Sequence, residues 1–255
     1  MDGQELSENK NKPIVRIGDT VHRPVSWWTP AVHSLLKYLE DVDFKYSPRV
    51  LGFDEQGREI LSFIAGESGK EGWSKIISDD GLRRFAKLLR GYHDVISGFK
   101  PLDDSEWAYA KGAPKTGEIM CHGDFGPWNV VWQGDEPVGI VDWDFVLPAK
   151  PEYDILYGLE YSVPFRDDKT SLTDHHFPEV PDRKHRIEIF LGAYGAESIE
   201  NVAGRVAQLQ RTVGAHEEYL AKRGLQPQAD WVAHGDLERI ENWAQWTEAN
   251  KHLFE

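Results

Sequence analysis

The sequence contains a single cysteine, Cys121, among 255 residues. A lone cysteine cannot form an internal disulfide and provides no cysteine pair at zinc-site spacing, so dithiol redox and thiolate–metal roles are excluded. No window approaches eighteen consecutive apolar residues, and the polar first dozen residues lack the apolar stretch of a secretion signal. We therefore expect a soluble, cytoplasmic protein with no membrane partner.

Basic side chains are also in the minority. The chain has 43 acidic against 29 basic side chains, which gives a formal net charge of -14. Such a charge repels polyanions and attracts cationic small molecules. We expect no nucleic-acid partner, and the sequence leaves the oligomeric state open.

Glycine is scarce at the start of the chain, where only Gly3 and Gly18 precede Gly52. No glycine-rich loop that could cover phosphates is visible there. Alternating apolar residues around Gly18 predict a hairpin, and Thr29 before Pro30 predicts the N-cap and first turn of an amphipathic helix. Two further apolar runs, separated by the turn signal at residues 54–57, predict a second pair of strands.

Helical periodicity dominates beyond Gly66. We therefore expect a disordered or extended segment at residues 1–12, a small antiparallel lobe at 13–66 that is truncated at its N-terminus, and a mainly helical lobe at 67–255. The connection between the lobes is predicted near residues 62–66.

The stretch "MCHGDFGPWNVVW" carries the clearest chemical pattern. Asp124 and Asn129 are five residues apart, and Gly126-Pro127 between them prevents a regular helix, so the chain must turn and can aim both side chains into one cleft. Asp142 follows an apolar run in "GIVDWDF" and is predicted at a strand end. Carboxylate and amide oxygens are ligands suited to Mg²⁺.

Together, "HGDFGPWN", "IVDWDF" and "YDILYG" resemble the motifs of the aminoglycoside phosphotransferase and choline kinase superfamily. The resemblance implies an α+β, two-lobed, protein-kinase-like fold. It implies that Asp124 orients a substrate hydroxyl and accepts its proton, while His122 braces the loop. It further implies that Asn129 and Asp142 hold Mg²⁺ across the phosphates of ATP or GTP, and that Asp154 supports the loop from behind.

In the small lobe the resemblance implies a basic residue on the third strand and an acidic partner on the next helix. Arg23 occupies the strand position, although a solvated arginine at a strand end would look the same. The helix position carries Val32 or His33, so the ion pair is either absent or rebuilt with an acid from elsewhere, with Glu40 as a candidate.

The segment "LSFIAGE" fits a hinge that binds an adenine edge through backbone groups of Ser62, Phe63 and Ile64, or a plain strand end. Asp144 could support the metal or a basic substrate, or stabilise its own loop.

Other features favour structural roles. A second His-Gly-Asp, ending at Asp236, has Asn242 six residues on and lies in a helical pattern, so Asp236 is predicted to be a helix N-cap. The polar residues 161–182, with His175 and His176, are predicted to be a solvated loop, with metal capture or a cover over the cleft as alternatives. For three tryptophans near the motif, core packing is favoured over ligand stacking: Trp128, Trp132 and Trp143.

The leading hypothesis is Mg²⁺-dependent transfer of the γ-phosphoryl group of ATP or GTP to a hydroxyl on a small cationic molecule. One rival is a catalytically degenerate kinase-like binding or immunity protein. Another is a metal-dependent hydrolase that uses His122, Asp124 and Asp142. Neither the acceptor nor the nucleotide preference follows from the sequence.

Overall fold

The computed structural model describes residues 4–6 and 13–255, and the architecture is α+β, as predicted. A five-stranded antiparallel sheet lies at the start of the chain, in the order β1-β2-β3-β5-β4. Its strands are β1 (Gln4–Glu5), β2 (Val15–Ile17), β3 (Thr20–Arg23), β4 (Val50–Phe53) and β5 (Glu59–Ser62).

The sheet begins earlier than residue 13, because β1 pairs with β2 through Gln4 opposite Arg16 and Glu5 opposite Val15. The expectation of a sheet truncated at its start is therefore wrong for the described residues, while residues 1–3 and 7–12 lie outside them. Both predicted hairpins are confirmed, β2 with β3 and β4 with β5.

Helix α1 (Thr29–Asp41) connects β3 to β4 and buries the apolar face that the periodicity predicts. The predicted cap is wrong by one position: Thr29 is the first helical residue, and Trp28 precedes it. The Thr29 hydroxyl oxygen instead accepts the N–H of Ser26 at 2.9 Å, which closes the preceding turn.

The rest of the chain is mainly helical. Its helices are α2 (Lys70–Lys75), α3 (Asp79–Ile96), α4 (Glu152–Ser162), α5 (Asp168–Thr173), α6 (Arg183–Tyr194), α7 (Val202–Ala221), α8 (Gln228–Ala233) and α9 (Asp236–Ala249). Two strand pairs interrupt them, β6 (Ile119–Cys121) with β9 (Leu147–Ala149), and β7 (Val130–Gln133) with β8 (Glu136–Ile140). None of the described helices has the length and apolar character needed to cross a membrane.

The connection after β5 packs directly against β7. Glu67 and Trp132 exchange two backbone hydrogen bonds of 2.8 Å. A Cβ at Gly66, whose φ is +152°, would lie 2.5 Å from the Trp132 carbonyl oxygen, so this passage requires glycine. The contact joins the sheet to the strands that flank the predicted catalytic loop.

The prediction of a solvated loop for residues 161–182 is only partly right. They contain α5, and His175 and Phe177 are buried, while His176 is exposed. Several of their charged residues are exposed, including Asp168, Lys169 and Glu179, whereas Arg166 is buried and binds Glu160 at 2.6 Å within the interior.

Candidate active site

The predicted catalytic loop runs between β6 and β7. Gly123 has a φ of +83°, and a Cβ at this position would collide with the carbonyl oxygen of Phe145. The glycine therefore lets the loop lie directly on the short turn Trp143–Phe145 that follows Asp142. This close approach brings the two sequence motifs together.

Asp154, on α4, holds the loop from behind. Its fully buried carboxylate accepts the backbone N–H groups of His122 at 2.7 Å and Gly123 at 2.9 Å. It also accepts Nε2–H of His93 at 3.0 Å, and the other ring nitrogen of His93 bonds the hydroxyl of Tyr194. A carboxylate with three donors fixes the backbone of the loop.

His122 is fully buried beside the same loop. Its Nε2 donates to the carbonyl of Val141 at 3.1 Å, and Nδ1 accepts the N–H of Asp124 at 3.3 Å. Burial lowers the pKa of His122, so the ring is neutral and serves as a brace between loop and strand end.

Asp124 is held by two donors. Tyr157 donates its hydroxyl to Oδ1 at 2.5 Å, and the Asn129 amide donates to Oδ2 at 2.8 Å. Burial, together with the nearby charge of Asp142, raises the pKa of Asp124 to about 7. Sequence reasoning missed Tyr157, although it lies three residues after Asp154 in "YDILYG" and hence on the same face of α4.

Asp142 has a left-handed backbone, with φ 59° and ψ 66°. Residues other than glycine rarely adopt this conformation, and such strain concentrates at functional sites. Its carboxylate is 46% exposed, and with Asn129 it lines one cavity. The Asn129 Nδ2 group is occupied by Asp124, which leaves the amide oxygen as the atom that could coordinate a cation. The donor set, one accessible carboxylate and one amide oxygen, fits Mg²⁺.

Arg23 is buried, so the alternative of a solvated strand end is wrong. Nε donates to Glu59 at 2.6 Å, Nη2 donates to Asp144 at 2.7 Å, and Nη1 lies 3.6 Å from Asp142. Burial alone would lower the pKa of Arg23, but the charges of Asp144, Glu59 and Asp142 hold it above its usual value. The guanidinium thus connects β3 to the turn after Asp142. Its bond to Asp144 agrees with the alternative in which Asp144 stabilises its own loop.

The acidic partner of Arg23 comes from β5, since Glu59 is its cross-strand neighbour. The expected replacement, Glu40, lies instead against Arg49 at 3.5 Å. On α1, His33 Nε2 lies 2.7 Å from the second oxygen of Glu59. The helix is therefore connected to Arg23 through a glutamate on the sheet.

Three cavities meet around these side chains, and two of them are named after the roles that the resemblance implies. The nucleotide-side cavity, of about 360 Å³, is bordered by Ser62, Phe63, Ile64, Asn129 and Asp142. The central cavity, of about 530 Å³, borders Arg23, Asp124, Asp142 and Asp144. The acceptor-side cavity, of about 300 Å³, borders Asp124 and the second His-Gly-Asp at Asp236.

The predicted hinge lies at the nucleotide-side cavity, but not all of its donors are open. The N–H of Ser62 donates to the Arg49 carbonyl at 2.9 Å, and that of Phe63 donates to the Asp19 carbonyl at 2.8 Å. Within the described residues, this leaves Ile64 as the backbone donor of the predicted three.

The three tryptophans near the motif differ in position. Trp132 and Trp143 are buried in the core, as predicted. Trp128 is partly buried and packs against the core, and it also lines all three cavities, so both packing and ligand stacking are compatible with its position.

The second His-Gly-Asp differs from the first. Asp236 is the first residue of α9 and not its N-cap, which is Gly235. Its carboxylate accepts from Arg239 at 2.8 Å.

Within the described residues, one cluster with metal-ligand side chains is buried, formed by His93, Cys121 and Asp154. Each member already has hydrogen-bond partners, including two backbone carbonyls for the Cys121 thiol, so the cluster is structural. Burial raises the pKa of Cys121, as expected of an inert thiol.

Comparisons with known proteins agree with this architecture. Residues 102–177 match the model of the phosphotransferase enzyme family. The trifolitoxin immunity protein of Rhizobium leguminosarum bv. trifolii is 33% identical over 187 residues, which cover 71% of this chain and 70% of that protein.

Solved structures of low identity share the fold. The GDP complex of aminoglycoside 2'-phosphotransferase-IIIa has a TM-score of 0.60 at 15% identity, covering 96% of this chain and 93% of that chain. A choline/ethanolamine kinase family protein from Mesorhizobium loti has a TM-score of 0.53 at 18% identity, covering 99% and 91%. The fold is thus the two-lobed, kinase-like fold, and the chain belongs to the aminoglycoside phosphotransferase and choline kinase superfamily.

Proposed function

We propose that the protein transfers the γ-phosphoryl group of ATP or GTP to a hydroxyl of a small molecule. The observation that carries the proposal is the position of Asp124, a hydrogen-bonded carboxylate where the central and acceptor-side cavities meet. Phosphoryl transfer depends on positioning and charge stabilisation more than on covalent chemistry by the protein, and this arrangement supplies both.

Asn129 and Asp142 are the residues that would hold Mg²⁺. When bound, the ion would neutralise phosphate charge. The protein supports the position of Asp142 in two ways, through the left-handed backbone at that residue and through Arg23 at 3.6 Å. Arg23 has three carboxylate neighbours, so its main effect would be to position Asp142 and Asp144. It borders the central and nucleotide-side cavities, from which it would also contact phosphate.

Asp124 would accept the proton of the acceptor hydroxyl. Its raised pKa makes it a stronger base than an ordinary carboxylate, and the hydroxyl of Tyr157 with the amide of Asn129 fixes its direction. Val21, Leu61 and Val131 form apolar walls in the nucleotide-side cavity that suit a base, and the N–H of Ile64 would bind its edge.

A second candidate function is binding without catalysis. The relative at 33% identity is named an immunity protein, and immunity can arise from chemical modification of a toxin or from its sequestration. The two differ in one property: a binder has no requirement for nucleotide or Mg²⁺.

Thermal unfolding with ATP or GTP, each with and without Mg²⁺, tests the proposal. At about 100 times Kd, a nucleotide stabilises the folded state by roughly 2.7 kcal/mol, which corresponds to about 5 to 10 °C in Tm. We expect a Mg²⁺-dependent rise in the wild type that is lost in Asp142→Ala.

The matched control is Asp135→Ala, at an exposed turn between β7 and β8. This variant should retain the rise. If neither nucleotide shifts Tm with Mg²⁺, the proposal is wrong and sequestration is favoured.

A further inference from the structure

The acceptor-side cavity has mainly aromatic walls. Beside Asp124 it is bordered by Tyr109, Trp128, Tyr157, Trp231 and Trp243. Aromatic faces bind flat rings by stacking, and they also attract cations. The charges in the cavity therefore decide which class of acceptor fits.

The cavity offers a cation little uncompensated negative charge apart from Asp124. Its other two acidic residues are Glu217 and Asp236. Asp236 is paired with Arg239, which itself borders the cavity. Burial raises the pKa of Glu217 to about 7, so this carboxyl is only partly ionised at neutral pH. Besides Asp124, a polycation would thus meet a guanidinium and one partly ionised acid.

Several aromatic faces are already occupied by the protein's own groups. Arg166 lies 4.0 Å and Arg239 lies 5.0 Å from the centre of the Trp243 ring. Tyr109 stacks on His216 at 4.2 Å with an interplanar angle of 7°. Burial lowers the pKa of His216 to about 4, so this stack is neutral at pH 7.

Trp231, on α8, has no such stacking or cation contact among the described residues, so its ring face is available to a ligand. Its side chain is 43% exposed although it borders both the acceptor-side and the central cavity. What distinguishes this indole from other exposed ones is its position, because it lies in the same cavity as the predicted base and offers a face on which a flat ring can stack.

We propose that Trp231 is the surface on which a ring of the acceptor stacks, and that the acceptor is a flat, unsaturated hydroxyl compound of low net charge. The proposal rests on the proposed function, because it identifies this cavity as the acceptor site. It replaces the small cationic acceptor expected from the net charge of -14, which is a property of the whole chain and not of this cavity.

Direct binding without nucleotide tests the acceptor class. Dissociation constants would be measured by NMR titration for tryptophol and benzyl alcohol, and for kanamycin and choline as cationic hydroxyl compounds. We expect tryptophol to bind most tightly, and Trp231→Ala to weaken its binding about threefold to tenfold. Trp231→Phe, which keeps a ring, should retain most of the affinity.

The matched control is Trp27→Ala, because Trp27 is also exposed, at 39%, and borders none of the three cavities. This variant should bind tryptophol like the wild type, and Tm would confirm that each variant folds. Tighter binding of kanamycin or choline, or tryptophol binding that is unchanged in Trp231→Ala, would overturn the inference.

Transfer of labelled phosphate from ATP or GTP to the same four compounds separates this inference from the proposed function. If Mg²⁺-dependent nucleotide binding is present and kanamycin or choline is the compound labelled, the inference fails and the proposed function stands. If tryptophol binds through Trp231 and Mg²⁺-dependent nucleotide binding is absent, the ring-stacking site stands and the proposed function fails.

Discussion

The chain contains the tripeptide His-Gly-Asp twice, at residues 122–124 and at 234–236, and the two copies border the same cavity. Both glycines have positive φ, +83° at Gly123 and +93° at Gly235, so the chain bends at each glycine through a conformation that favours this residue. The two copies differ in the structure that holds or follows each bend. The carboxylate of Asp154 accepts two N–H groups of the first copy, whereas the second copy leads into α9.

The two aspartates consequently have different chemistry. Asp124 is held by neutral donors, and its pKa is raised to about 7. Asp236 is paired with a cation, Arg239, at the first residue of α9. The tripeptide therefore predicts a bend in the chain. The residues that contact its aspartate decide whether that aspartate can act as a base.

The largest effect on the free energy of unfolding should come from Asp154→Ala. The change leaves two buried N–H groups and His93 without their acceptor, so we expect a loss of about 3 to 5 kcal/mol in the free energy of unfolding. The counterpart on the second copy, Asp236→Ala, should cost about 1 kcal/mol or less, because its partner Arg239 is 58% exposed. Urea unfolding of both variants measures the difference, and equal losses would remove the distinction between the two bends.

Tyr157→Phe should have an intermediate effect. The Tyr157 hydroxyl bonds Asp124 and lowers its pKa, in opposition to burial, so its removal should raise that pKa further. Because the base must be ionised to accept a proton, the acid limb of the pH–rate profile should move to higher pH. Turnover at pH 7 should fall roughly threefold to tenfold.

The profile would be recorded with a hydroxyl compound that accepts labelled phosphate. Tyr153→Phe provides the control, because Tyr153 borders the same cavity and makes no hydrogen bond to Asp124 among those of the described residues. An unchanged acid limb in Tyr157→Phe would mean that the tyrosine does not tune the base.

The smallest effect concerns Glu217, beside the second copy. Burial, and then the charge of Asp236, raises its folded-state pKa to about 7 from 4.5. The folded state therefore binds more protons than the unfolded state between these values, and stability falls as pH rises through this window. Glu217→Gln should be more stable than the wild type by roughly 1 kcal/mol at pH 8, about 2 to 4 °C in Tm, after allowance for partial exposure.

At pH 4 this advantage should vanish, because the carboxyl is then mostly protonated in both states. Tm measured from pH 4 to pH 8 checks the sign. A stability gain that is independent of pH would show that the titration of Glu217 is not its cause.

Much of the fold follows from local patterns. Period-two alternation predicted the hairpins, and period-3.6 apolar residues predicted α1, α3, α6 and α7, because each element buries one continuous face. The grouping of Asp124, Asn129 and Asp142 around adjoining cavities also agrees with their spacing and with the turn that Gly126-Pro127 imposes.

The partners of the site were less predictable, because they depend on which strands are neighbours. Arg23 contacts Glu59 only because β3 pairs with β5, and the sequence of a strand does not show which other strand it pairs with. The available clue was the acid itself, since Glu59 lies in the strand "EILS" where an ionised side chain requires a partner. Within residues 161–182, polarity was misleading at Arg166 and His175, which are buried.

The central claim is that Asp124, and not Asp236, is the base in phosphoryl transfer. Its most direct test is the turnover of two matched variants, Asp124→Asn and Asp236→Asn, with labelled ATP or GTP and Mg²⁺. Loss of the base should reduce turnover about 10²- to 10⁴-fold in Asp124→Asn, while Asp236→Asn should stay within about threefold of the wild type. If Asp124→Asn retains wild-type turnover, or if Asp236→Asn suffers the larger loss, residues 122–129 are not the catalytic loop.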